Sequence, residues 1–184
     1  MSENEAITIN RDVEAILIPV GDAITIPEGS EVIITQALGG NYTVNVQGNL
    51  AQIGAQNADA LGFEVPKPLK SKFADSNNGL VDEDLIWEQL RTCYDPEIPV
   101  NMVELGLIYQ CTVSKNEDGK NYVKIIMTLT APGCGMGDFL GADVKQKVEM
   151  VPNVYEVNIE LTFDPPWNQS MMSEAAKLET GMYY

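Results

Sequence analysis

The sequence predicts an α+β chain: a small all-β module over residues 1–63, a linker over 64–79, and an α-β-β-α-β-α domain over 80–184. Three observations predict it. Short apolar runs separated by glycine and proline turns fill the first 63 residues. The next stretch holds two prolines and three lysines and has no apolar period. Beyond Leu80, helical and alternating periods take turns.

In the module the runs are Ala15–Ile18, Ala23–Ile26, Val32–Thr35, Tyr42–Val46 and Leu50–Ile53. Tyr42, Val44 and Val46 alternate with Thr43, Asn45 and Gln47, as a half-buried strand requires. Five such strands suit a small barrel or sandwich. Gly39-Gly40 is a hairpin turn and no phosphate loop, since no Gly-Lys-Ser/Thr follows it. The polar stretch from Ala51 to Gly62, with Gln56, Asn57 and Asp59, reads as a ligand loop or an ordinary surface loop.

The second domain opens with Asp82-Glu83-Asp84, an N-cap followed by acids that complement the helix dipole. Leu85, Ile86, Leu90 and Cys93 share one face of a helix that Pro96 ends. A strand over 107–114 and a strand over 122–130 flank the turn Asn116–Lys120. Leu140, Val144 and Val148 mark a helix over 139–150. Val157, Ile159, Leu161 and Phe163 mark a strand over 154–163, ended by Asp164-Pro165-Pro166-Trp167. A short helix over 171–179 closes the order, with Gly181 as its stop. A three-stranded sheet with helices on one face fits it.

Charge and composition exclude several functions. The net charge of −16, spread as −7 over 1–63, +1 over 64–79 and −10 over 80–184, repels nucleic acid and anionic membranes. No apolar run reaches the roughly 18 residues of a membrane span. The start, Met1-Ser2-Glu3-Asn4-Glu5, is not the basic start of a signal peptide, so a cytoplasmic chain is expected. The chain has no histidine, which excludes Ser-His-Asp and Cys-His catalysis and His-ligated metals. Its three cysteines, 93, 111 and 134, form no Cys-x-x-Cys and read as reduced thiols. Cys93 and Cys111 fall on apolar faces and read as core.

Cys134 differs. It stands between a strand end and a helix start, in Ala131-Pro132-Gly133-Cys134-Gly135-Met136-Gly137. Unpaired amides and the positive end of a helix dipole favour an anion there, and the thiolate is the reactive form of cysteine. Gly135 and Gly137 leave room around the sulfur and permit positive φ. A buried cysteine in an ordinary glycine turn is the plainer reading. Two other segments carry side chains that packing leaves unexplained. Asp95-Pro96-Glu97 is either a helix-stop loop with solvated acids or part of a site. Trp167 either caps a pocket or anchors the last helix.

Three segments in this order, Asp95–Asn101 with Glu104–Tyr109, Thr128–Met136 and Asp164–Trp167, resemble the iron–sulfur cluster assembly domain superfamily. That group includes SufT-type proteins, PaaD proteins and the eukaryotic cytosolic cluster-targeting factors. The N-terminal β-rich module with Ile34–Gly40, and Ser173–Glu179 near the end, make the chain similar to the SufT type. PaaD proteins carry further C-terminal cysteines, and this chain has none after Cys134. Family members often have proline after the cysteine, where this chain has Gly135.

The resemblance implies an accessory, non-enzymatic role in iron–sulfur protein maturation, by cluster assembly, carriage or transfer. It implies that Cys134 is the reactive thiol and metal contact. Gly133, Gly135, Thr130, Asp95, Glu97 and Trp167 are the other candidate site residues. One such cysteine cannot hold a cluster alone, so any cluster or iron is transient and shared, and none is bound stably. The expected partners are iron–sulfur assembly proteins and client apoproteins, with a homo-oligomer compatible. The alternative is a pure adaptor that docks clients, with Cys134 structural or regulatory. A cysteine-nucleophile enzyme is disfavoured, because without histidine its base would be a carboxylate.

Overall fold

The computed structural model describes residues 6–67 and 79–181. The part of the predicted linker from Pro68 to Asn78, with Lys70 and Lys72, lies outside the described residues. Two compact units are present: Met1–Lys67 with Cys134–Phe139, and Pro68–Gly133 with Leu140–Tyr184.

The first unit is built on six strands: β1 (Ala6–Thr8), β2 (Val13–Leu17), β3 (Ala23–Ile26), β4 (Glu31–Leu38), β5 (Asn41–Val46) and β6 (Asn49–Ile53). They form one antiparallel sheet in the order β1-β4-β5-β6-β2-β3. The tight turns are made where the sequence has glycine: Gly39, Gly40 and Gly48 all take positive φ, which favours a residue without Cβ. Alternation sends Val13, Ala15, Ile26, Val32, Val44, Ala51 and Ile53 to one core, which Ala60 and Leu61 close. β1 had no run of its own in the sequence reading, since three residues are too few to show a period.

The polar stretch after β6 forms a 3-10 turn over Ala55–Leu61. Arg11 clamps it, with its guanidinium donating to both carboxylate oxygens of Asp59 at 2.8 and 2.7 Å and to Asn57 Oδ1 at 3.0 Å. Asp59 is held below the usual carboxylate range chiefly by that hydrogen bond.

The remaining elements are α1 (Glu83–Leu90), β7 (Ile108–Lys115), β8 (Asn121–Met127), α2 (Gly137–Glu149), β9 (Glu156–Leu161) and α3 (Glu174–Thr180), all in the second unit except the first three residues of α2, which belong to the first. This is the predicted α-β-β-α-β-α order. Asp82 caps α1 by accepting from the Asp84 amide at 3.0 Å, and Ser173 caps α3 by accepting from the Ala176 amide at 3.1 Å. The sheet runs β7-β8-β9, with β7–β8 antiparallel and β8–β9 parallel, so the crossover through α2 brings Met127 and Leu161 level.

Several boundaries differ from the sequence reading, with β9 at Glu156–Leu161 against 154–163 and α3 at Glu174–Thr180 against 171–179 among them. α1 stops at Leu90 and not at Pro96; Cys93 follows in a turn, its amide bonded to the Leu90 carbonyl, and it is buried all the same. β8 stops at Met127 rather than Thr130, because only the Thr128 amide still finds a ladder partner, the Leu107 carbonyl at 2.8 Å. No described helix is long and apolar enough to cross a membrane.

Candidate functional site

The acidic loop is shaped by its own first residue. The Asp95 carboxylate accepts from the amides of Glu97 at 2.9 Å and Ile98 at 3.0 Å, an Asx-type closure that Pro96 and Pro99 stiffen. Asp95 is therefore committed to the loop, while Glu97 is exposed. Tyr94 and Asn101 bridge across the loop's base, and the Met102 amide returns to the Cys93 carbonyl at 2.8 Å. Asn101 then accepts from the Glu104 amide at 2.9 Å, which turns the chain toward β7.

Trp167 meets this following stretch. Its indole N–H donates to the Leu105 carbonyl at 2.8 Å. The Tyr109 hydroxyl donates to the Pro165 carbonyl at 2.8 Å, and the Ser173 amide to the Glu104 carbonyl at 2.9 Å. Gly106 has φ +74°, and a Cβ there would collide with the Met171 carbonyl. Only glycine lets these two backbones approach. Of the two readings of Trp167, the hydrogen bond supports the anchor.

The cysteine loop begins where β8 runs out. Thr128 and Leu129 are buried, Thr130 is half-buried in a bend, and Ala131, Pro132 and Gly133 are exposed. Gly133 turns the chain with φ +81°. The positive φ therefore falls before the cysteine, and not at Gly135 or Gly137 as the sequence reading allowed. Gly135 is needed for another reason. Within the first unit its backbone lies against that of Val20 and Gly21, and a Cβ on it would collide with the Val20 carbonyl. Cys134 is half-buried, its thiol free, and its carbonyl accepts from the Gly137 amide at 3.3 Å where α2 starts.

The other thiols are in different surroundings. Cys93 is fully buried, and burial first, then the Asp143 carboxylate, pushes its pKa far up. Lys147 partly offsets this. Its ammonium donates to Asp143 Oδ2 at 2.9 Å and to the Thr92 carbonyl at 2.7 Å, with both side chains buried. The Cys111 thiol is pushed up to about 11, mainly by burial and further by the Glu83 carboxylate. Among the described residues no group of three or more His, Cys, Asp or Glu side chains is placed to hold a metal ion.

The buried Asp143–Lys147 pair was not singled out from the sequence. The signal was there: with Leu140, Val144 and Val148 they complete the i, i+3, i+4, i+7, i+8 stripe of a core-facing helix.

Comparison with known proteins places residues 83–161 in the family described as iron–sulfur cluster assembly protein. The chain is 53% identical over 106 residues to an Fe-S protein maturation auxiliary factor of Porphyromonas gingivalis, covering 58% of this chain and 97% of that protein. It is 34% identical to the auxiliary factor SufT of Staphylococcus aureus, over 48% of this chain and 96% of that one. Among solved structures, a conserved hypothetical protein of Thermotoga maritima is 29% identical with a TM-score of 0.49, over 58% of this chain and 100% of that one. With a relative this similar matched over nearly its whole length, the chain belongs to the iron–sulfur cluster assembly protein family, in its SufT-type branch.

Proposed function

We propose that this chain is a cytoplasmic accessory factor for iron–sulfur protein maturation, acting without catalysis of its own. The observation that carries the reading is the 53% identity to a maturation auxiliary factor, over 97% of that protein. Cys134 is the thiol that meets cargo or client. It is the cysteine in a glycine-bearing loop, whereas burial raises the pKa of the other two. Gly133, Gly135, Thr130, Asp95, Glu97 and Trp167 are the remaining candidate contacts, with Asp95 and Trp167 acting by shaping loops.

An iron–sulfur cluster in this role is cargo. Clusters are held by several thiolates, and Cys134 supplies one. The rest come from a client, an assembly protein or a small thiol. Those assembly proteins and client apoproteins are the partners proposed here. The adaptor reading gives Cys134 no contact with cargo.

The two readings separate in an anaerobic mixture of the chain with ferrous iron, sulfide and glutathione. The first expects a visible absorption band that is lost in Cys134→Ser and kept in Cys111→Ser. A band of equal size in Cys134→Ser, or none in the native chain, favours the adaptor.

A further inference from the structure

Cys134 and the residues after it fold with the N-terminal strands. The segment Cys134–Phe139 is part of the first unit, although Gly133 before it and Leu140 after it are part of the second. A turn of the N-terminal module meets this segment. The turn joins β2 to β3 and is closed by its own backbone. The Gly21 amide donates to the Leu17 carbonyl at 2.7 Å, and the Leu17 amide to the Asp22 carbonyl at 2.8 Å. The Ile18 amide donates to the Leu50 carbonyl at 2.9 Å, which ties the turn to β6. Bonded in this way, the turn is a firm edge and not a loose tip.

The edge touches the residue that follows the sulfur. The contact is backbone on backbone, and it needs glycine on both sides. A Cβ on Gly135 would collide with the Val20 carbonyl, and a Cβ on Gly21 would collide with the Gly135 carbonyl. Gly21 also has φ +84°, so its own conformation asks for glycine as well. Gly135 has no positive φ, so what excludes a side chain there is the approach of the turn.

A second contact lies further along the same segment. Phe139 lines a hollow of about 300 Å³ together with Ile16, Ala23 and Thr25. Ile16 pairs with Ala23 on one side and Gln52 on the other, while Ala15 and Ala51 point into the core. The hollow is therefore on the outward face of the sheet. Gln52 is 3% exposed on that face, as a covered surface requires.

We propose that the β2–β3 turn, through Val20 and Gly21, is a positioning clamp for Cys134. It fixes the residue next to the sulfur, keeps the thiol half-buried and limits the directions from which a partner reaches it. The turn lies outside residues 83–161, so the clamp gives the N-terminal module a task that the matched family domain does not supply. The proposal rests on the reading of Cys134 as the working thiol. Its test reads alkylation and not maturation, so the two fail separately.

The test is the iodoacetamide rate at Cys134 in the full chain, with the buried Cys93 as the internal measure of an intact fold. Gly135→Ala sets a methyl against the Val20 carbonyl and should free the loop, raising the rate about fivefold or more. Gly21→Ala, made in the other partner, should raise it as well. The double variant should rise no further than the larger single effect, since both changes break one contact. Gly141→Ala, whose Cβ would meet Ile159 Cγ2 at 3.7 Å, should keep the native rate. Amide NMR of Gly135→Ala should show shifts at Val20, Gly21 and Asp22. A native rate in Gly135→Ala, single effects that multiply in the double variant, shifts confined to the cysteine loop, or a rise shared equally by Cys93 would each overturn the proposal.

Discussion

Cys93 and Cys134 flank the ends of neighbouring elements and could hardly be held more differently. Cys93 follows α1 and is fully buried, its thiol facing the carboxylate of a buried Asp143–Lys147 pair. Cys134 precedes α2, is half-buried, and follows three exposed residues in a loop that Gly133 turns. The first site keeps a thiol protonated and uses charge to join α2 to the carbonyl at the end of α1. The second leaves a thiol in reach of solvent. Sequence position relative to a helix does not make a cysteine reactive; burial and the charges beside it do.

The comparison breaks most severely if the charge pair is halved. Lys147→Met takes the ammonium away from the buried Asp143 carboxylate, and we expect a loss of about 3–5 kcal/mol in urea denaturation. Asp143→Leu with Lys147→Met should recover most of that loss, because both buried charges are then gone. Recovery absent from the double variant would mean that the pair does more than balance itself.

Labelling sharpens the contrast next. Iodoacetamide should modify Cys134 about two orders of magnitude faster than Cys93, which must wait for an opening of the fold. Peptide mass mapping over a time course reads the two rates directly. Equal rates for Cys134 and Cys93 would erase the distinction between the loop thiol and the buried one.

A smaller effect concerns Cys111. Its folded pKa of about 11 lies above the ordinary value of 9.0, so the folded chain holds the proton more tightly than the unfolded one. The stability this contributes is complete below the unfolded pKa. It is lost as pH rises through the window from 9.0 to about 11. The thermal midpoint should fall across that window, and Cys111→Ala should flatten part of the fall. An identical pH profile in the variant would remove the burial argument for this thiol.

Much of this was legible in the sequence. The order of the second unit, the Asp82 cap and the strand-to-helix location of Cys134 follow from local periods and punctuation, which a linear sequence carries well. The end of α1 was not, because Leu90 and Cys93 continue a helical stripe and only tertiary packing turns the chain between them. Asp143 and Lys147 hid for the opposite reason. Their positions are those of core residues, but charge sends the eye to the surface, and mutual pairing is what permits their burial. Trp167 was equally open between pocket and anchor until its N–H found the Leu105 carbonyl.

The central claim is that Cys134 is the thiol through which this chain serves iron–sulfur maturation. Anaerobic activation of an apo-client by the assembly proteins, with native chain or with Cys134→Ser, tests it most directly, alongside a pull-down of the client by each. The account predicts that Cys134→Ser still captures the client but adds nothing to its activation, while Cys111→Ser behaves as the native chain. Activation by Cys134→Ser at the native rate would contradict it.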